Sequence, residues 1–204
     1  AKLFWPFLDK KVGSGLMLSF DPFLIVIATL VYVLRAVSPI YAVLGLVAFG
    51  LYLLFRQYRK MRVRTLLTQM IDFPVKRLVL FPSMVSLFSW EFVAYGEKEI
   101  ATGKSSMFAK KIELRERMDQ SESWVEDLVM NTHLGQFFHE FTKEYHISFK
   151  KLENGKIRVT MTDLRYYVNN RYMHHGTIQF DKELNPETEM FHPYNMRRSA
   201  KVPV

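Results

Sequence analysis

The sequence predicts an α+β fold, a two-helix membrane hairpin followed by a cytoplasmic antiparallel β-sheet domain with one main helix. Three observations predict it. Two apolar segments, Pro22 to Leu34 and Pro39 to Phe55, are separated only by Arg35, Ala36, Val37 and Ser38. The stretch from Arg56 to Arg77 then holds seven basic residues (Arg56, Arg59, Lys60, Arg62, Arg64, Lys76 and Arg77) against one acid, Asp72. Beyond it, stretches rich in β-branched and aromatic residues alternate with turn signals, as strands do. The chain therefore divides into a pre-membrane segment (1–21), a membrane hairpin (22–55), a basic juxtamembrane helix (56–72) and a cytoplasmic α+β domain (73–204).

Bulk figures conceal this division. Mean hydropathy is -0.03, yet the stretch from Pro22 to Phe55 carries one charge, Arg35. Of 204 residues 49% are apolar, enough for a real core. The formal net charge of +8 is concentrated beside the hairpin. With no cysteine the chain has neither disulfides nor cysteine metal sites, which argues against a stapled secreted domain. Residues 1–20 lack the charged start, apolar run and small-residue cleavage site of a signal peptide. The start at Ala1 rather than Met reads as the downstream piece of something longer.

Each hairpin segment opens with helix-start chemistry. Asp21-Pro22 and Ser38-Pro39 place a capping side chain before a proline at the first helical position, where the missing N–H costs nothing. The segments would span roughly 20 Å and roughly 26 Å, both short of the ~30 Å hydrocarbon core. Extending the first through Leu16 to Phe20 would draw Asp21 inward, at up to ~3 kcal/mol at the bilayer centre. Tyr58 can anchor the second at the interface. From Phe23 to Val31 apolar residues cover every helical face, which weighs against a hairpin buried in a soluble domain.

The basic residues then set orientation. Five of them, Arg56, Arg59, Lys60, Arg62 and Arg64, follow the second segment, while Arg35 alone lies in the connection, so the tail is expected in the cytoplasm. Lys2, Asp9, Lys10 and Lys11 place the start of the chain on the same side. This collar can contact anionic headgroups at ~1 kcal/mol per basic side chain. Nucleic acid is not the expected partner, because no aromatic stacking platform or recognition-helix motif accompanies the charge.

In the soluble part, Thr65 to Ile71 continues the helix until Phe73-Pro74 ends it. Strands are expected at Val75 to Phe81, at Ser86 to Tyr95, and at Phe108 to Glu116 after a polar turn at Gly103 to Ser106. Glu122 to Tyr145 reads as the one main helix, capped by Ser121 or Ser123, with Trp124, Leu128, Leu134, Phe138 and Phe141 near one face. His146 to Lys150 and Lys156 to Met161 alternate around Asn154-Gly155, a hairpin signal. Gly176 to Phe180 is a last strand.

Chemistry is harder to find. His133, His139 and His146 lie six and seven residues apart, and His139-Glu140 fails the HExxH zinc motif because residue 143 is Lys. His174 and His175 are adjacent, so in a strand they face opposite sides. No metal site and no cofactor are expected on this chain. Nucleophile elbows, phosphate loops and dinucleotide fingerprints are missing too. The densest polar group is Thr162 to Tyr167. In a strand Asp163 and Arg165 share a face, where they either pair with each other or present a carboxylate and a guanidinium to a ligand. Asp163, Arg165 and Tyr166 are the catalytic candidates.

The order of motifs adds a resemblance. The stretch LFWPFLDKK (Leu3 to Lys11), then Phe20-Asp21-Pro22, an apolar hairpin, a basic helix, a strand with Trp90 and finally Thr162-Asp163-Leu164-Arg165-Tyr166 resemble the downstream part of the LexA-regulated inner-membrane metal-dependent hydrolases of bacteria, close to their Bacillus-type members. The hydrolase name of that family itself rests on motifs. The resemblance implies a carboxy-terminal portion in the bacterial inner membrane, its soluble domain facing the cytoplasm. It also implies further membrane helices upstream, packed on the hairpin and carrying His and Asp motifs for a divalent metal. Those ligands have no counterpart here. A phosphoester or lipid-linked substrate at the membrane surface would follow. The other functional class is a membrane-tethered, non-catalytic binding or regulatory module.

Overall fold

The computed structural model describes residues 21–83, 86, 88–106, 112–153, 155–194 and 200–201. The pre-membrane segment as far as Phe20, the first residues of the strand expected from Phe108, and Asn154 of the expected turn lie outside them. The chain forms two compact units, one of residues 1–92 and 103–114, the other of residues 93–102 and 115–204.

The first unit begins with α1 (Pro22–Leu34) and α2 (Ile40–Met70). Asp21 caps α1 as expected, its carboxylate accepting the Phe23 N–H at 3.1 Å with Pro22 in the first turn. The second start is looser. The cap position of α2 falls on Pro39, and the Ser38 hydroxyl accepts the Ile40 N–H only at 3.4 Å. Apolar segment and basic helix form one unbroken element of 31 residues, since nothing between Phe55 and Arg56 interrupts the backbone ladder. Its buried residues are Arg56, Val63 and Leu67, a single stripe at helical spacing.

The first sheet runs in the order β1-β2-β3-β4, with β1 at Arg77–Pro82, β2 at Ser89–Tyr95, β3 at Glu99–Ser106 and β4 at Ile112–Asp119. Gly103 to Ser106, expected as a polar turn, lies within β3. The glycine serves close approach instead: a Cβ there would lie 2.4 Å from the Glu113 carbonyl oxygen and 2.6 Å from the Phe92 ring.

In the second unit the expected single helix is two, α3 (Ser123–Met130) and α4 (His133–Phe141). The break is chemical. Thr132 turns extended (φ -107°, ψ 157°), its hydroxyl donates to the Val129 carbonyl at 2.7 Å and accepts the Gly135 N–H at 3.0 Å, and a new helix starts. Neither expected serine caps α3. Glu122 occupies that position without a side-chain bond, and Ser121 donates to the Ile147 carbonyl.

The strands β5 (Tyr145–Lys151), β6 (Ile157–Asp163), β9 (His175–Phe180), β10 (Pro186–His192) and β11 (Ala200–Lys201) form an antiparallel sheet in the order β11-β10-β9-β6-β5. The β5–β6 hairpin pairs Tyr145 with Asp163 and Lys151 with Ile157, and Gly155 takes φ +74° in its turn, as the sequence predicts. A separate ribbon, β7 (Tyr167–Val168) with β8 (Arg171–Tyr172), turns through Asn169 and Asn170 at φ 51° and 59°. Val125, Val129, Leu134 and Phe138 of the helices close over Ile147, Val159, Met161, Ile178 and Phe180 of the sheet. The opposite register carries the row His146, Thr162, His175 and His192. His146 is a strand residue of β5, as the hairpin signal predicts.

Candidate functional site

The polar cluster at the end of β6 is built by a turn rather than by strand periodicity. β6 stops at Asp163, whose N–H is bonded to the His174 carbonyl at 3.0 Å while Leu164 N–H is bonded to the Glu144 carbonyl at 2.9 Å. The chain then folds back on the carboxylate. Oδ1 of Asp163 accepts the backbone N–H of Arg165 and its Nε, both at 3.0 Å, and Oδ2 accepts Nη2 at 2.8 Å. A side chain bonded to the backbone two residues on is an Asx turn, here reinforced by a two-point guanidinium fork. The Thr142 hydroxyl points at Oδ1 from 3.4 Å, and Arg165 Nη2 also reaches the Phe141 carbonyl at 3.4 Å. These last two bonds tie the turn to the end of α4.

Asp163 is fully buried, whereas the Arg165 side chain keeps 27% of its exposure. Burial alone would lower the Arg165 pKa, but the hydrogen bonds and charge of Asp163 outweigh it and hold the guanidinium above its ordinary value. Aromatic faces frame the cation: its centre lies 5.4 Å from the Phe141 ring and 5.0 Å from that of Tyr166. His174 completes the frame, its ring 5.3 Å from Phe141 and 5.1 Å from Tyr166 and stacked on Phe191 at 6.4 Å. Its Nδ1 stands 3.7 Å from Asp163 Oδ2 without a hydrogen bond, and burial lowers its pKa more than that carboxylate raises it.

Asp163, Arg165 and Tyr166 are therefore together, but the carboxylate is spent inside the fold. An acid or base must reach its substrate, and Asp163 has no exposed surface to do so. What remains outward is an edge of the Arg165 guanidinium, framed by the Phe141 and Tyr166 rings. Phe141, Thr142 and His174 were not predicted as its neighbours. They come from α4 and from the residue before β9, and only the tertiary fold joins them.

A divalent metal does not fit these residues. The cluster's buried carboxylate, Asp163, is paired with the Arg165 guanidinium, and among the described residues no three of His, Asp and Glu form a metal-holding group. Elsewhere, His139 Nδ1 meets the Tyr145 hydroxyl at 3.0 Å, His146 Nε2 meets the Asp119 carbonyl at 2.9 Å, and His175 bonds Thr162 and the Tyr172 carbonyl.

Among the basic residues after Phe55, Arg56 departs from expectation. It is 2% exposed, lies 3.7 Å from the Asp21 carboxylate and donates to the Tyr52 hydroxyl at 3.3 Å. The Tyr52 hydroxyl in turn donates to Asp21 at 2.7 Å. Arg56 thus closes the foot of the helix pair instead of facing headgroups. It also stacks over Trp90 at 5.2 Å, with Lys60 over the same ring at 5.8 Å. Arg59 is partly buried, and Arg62 and Arg64 are exposed.

Comparison with known proteins adds one match. Residues 125–202 match the family described as the YfhP C-terminal alpha/beta plait domain. No curated protein and no solved structure matches the chain. The match covers α3 through β11, so the two helices and antiparallel sheet of the second unit are similar to an alpha/beta plait.

Proposed function

We propose that the chain tethers an alpha/beta plait domain to a lipid bilayer and that the plait works as a binding or regulatory module. One observation carries the tether. α2 is long and apolar enough to cross a membrane, and only 6% of its most apolar window is buried. Val43, Leu46, Val47, Leu51 and Leu54 each expose more than half of their surface. Such a surface in water would be an aggregation liability, and acyl chains cover it at no cost. α1, with 13 residues, packs beside α2 as the second arm of the hairpin, and the basic residues after Phe55 orient the plait to the cytoplasm. The binding role rests on Arg165, presented among aromatic rings while Asp163 stays buried.

A charge at the lipid-facing centre tests the tether. Leu46→Lys with Leu51→Lys should cost about 3 kcal/mol per lysine at mid-bilayer and move the chain from the membrane pellet to the supernatant or to aggregates. A wild-type chain that alkaline carbonate strips from membranes would overturn the reading.

The family resemblance favours a second reading through its Thr162-to-Tyr166 motif. In it the chain is the anchoring and cytoplasmic part of an inner-membrane hydrolase, with a divalent metal held by residues upstream. Arg62 and Arg64 would then draw an anionic substrate to the membrane surface. Chelator-sensitive phosphoester hydrolysis by the longer protein, and none by this chain, is the expected result. Hydrolysis by this chain alone would remove it.

A further inference from the structure

Two exposed aromatic rings in the first unit stand beside the helix pair. Phe23, in the first turn of α1, is 41% exposed, and Phe88, immediately before β2, is 46% exposed. Their ring centroids are 6.0 Å apart, edge to face. On its other side Phe23 lies 5.9 Å from the ring of Tyr52. That tyrosine bonds Asp21 and Arg56, the polar lock at the foot of the helices. Phe88 therefore sits at the level where α2 changes from apolar Phe55 to basic Arg56.

If the helices lie in a bilayer, that level is the zone between acyl chains and headgroups, where aromatic side chains concentrate. The strand behind Phe88 is not a loose end. Trp90, two residues on, is fully buried under Arg56 and Lys60. Phe88 is thus held at this height by the same helix that enters the membrane. The geometry points to Phe88 as a second membrane contact of the chain, the leading end of β2 seating its ring in the interfacial zone beside the foot of α1. This inference rests on the membrane reading above. The lipid surface is the occupant because the patch is continuous with the exposed apolar surface of α1, and Arg62 and Arg64 are exposed on the same helix, where anionic headgroups would meet them.

With no cysteine in the chain, one introduced thiol carries a unique label. The full chain, in vesicles of phosphatidylcholine and phosphatidylglycerol, is labelled with an environment-sensitive fluorophore at Phe88→Cys, at Leu46→Cys and at Ser148→Cys, the last on an exposed strand position. Expected is quenching of the Phe88→Cys label by headgroup and upper-chain nitroxide lipids, with iodide ineffective. Leu46→Cys should respond to acyl-chain nitroxides, and Ser148→Cys to iodide alone. A Phe88→Cys label quenched by iodide while Leu46→Cys reports lipid overturns the contact and leaves the tether standing. Protection of Phe88→Cys from both quenchers assigns the ring to a protein partner and overturns the contact as well. Iodide quenching at Leu46→Cys would overturn both readings.

Discussion

Asp163 shows how one buried acid can organise a turn. Each of its oxygens is bonded to Arg165, and it has no exposed surface. Asp163→Asn keeps an oxygen for the backbone N–H but removes the charge that the guanidinium was folded against. Loss of one partner of a buried pair costs up to about 5 kcal/mol; with Arg165 still partly wetted, about 2 kcal/mol is expected here. The urea midpoint of the detergent-solubilised chain checks this, and an unchanged midpoint would mean that the fork contributes nothing. The pairing of Asp163 with Arg165 was legible because two residues of separation suits a strand face. The actual cause differs: the strand ends at Asp163, and an Asx turn brings the arginine round. Phe141 and His174 were illegible, since nothing local links residues 141, 165 and 174. Arg56 was misjudged because a composition count cannot see that Asp21 lies opposite it across two helices.

At the scale of elements, two pieces of local chemistry held and the long helical period did not. The Asp21-Pro22 start and the glycine turn of β5–β6 are where their residue types require them. The long amphipathic stretch from Glu122 was read as one helix because Leu134 and Phe138 keep the apolar period of α3. Thr132 was overlooked as a cap inside that period. Its hydroxyl bonds both the end of α3 and the start of α4. Thr132→Ala should therefore lower stability by about 1 kcal/mol, and Thr132→Ser should restore most of it, measured by thermal denaturation. Equal stability of the alanine and wild-type chains would place the break elsewhere. β3 and β10 were missed for another reason. Gly103 read as part of a polar turn, yet the glycine admits the Phe92 ring within a sheet, and Pro186 opens β10, a position where a strand tolerates proline.

For the whole molecule, charge and burial set a pH dependence. The chain already carries +8 with its six histidines neutral, so acidification adds charge to a basic protein. His174 and His175 matter most, because burial lowers both pKa values from the ordinary 6.5. Around His174, Asp163 pulls the pKa up while Arg165 and His175 push it down; around His175, the Tyr172 carbonyl and Asp163 raise it and His192 lowers it. A depressed histidine is neutral when folded and takes up its proton more readily when unfolded. Its stability contribution is therefore present above the unfolded value of 6.5 and is lost as pH falls from there toward the lower folded values. The thermal midpoint should drop between about pH 7 and about pH 5.5, a window above most carboxylate titrations. His174→Gln with His175→Gln should flatten that drop, whatever the substitutions do to the midpoint at neutral pH. A double variant with the wild-type slope would assign the acid sensitivity to other groups, since only the slope reports protons taken up on unfolding.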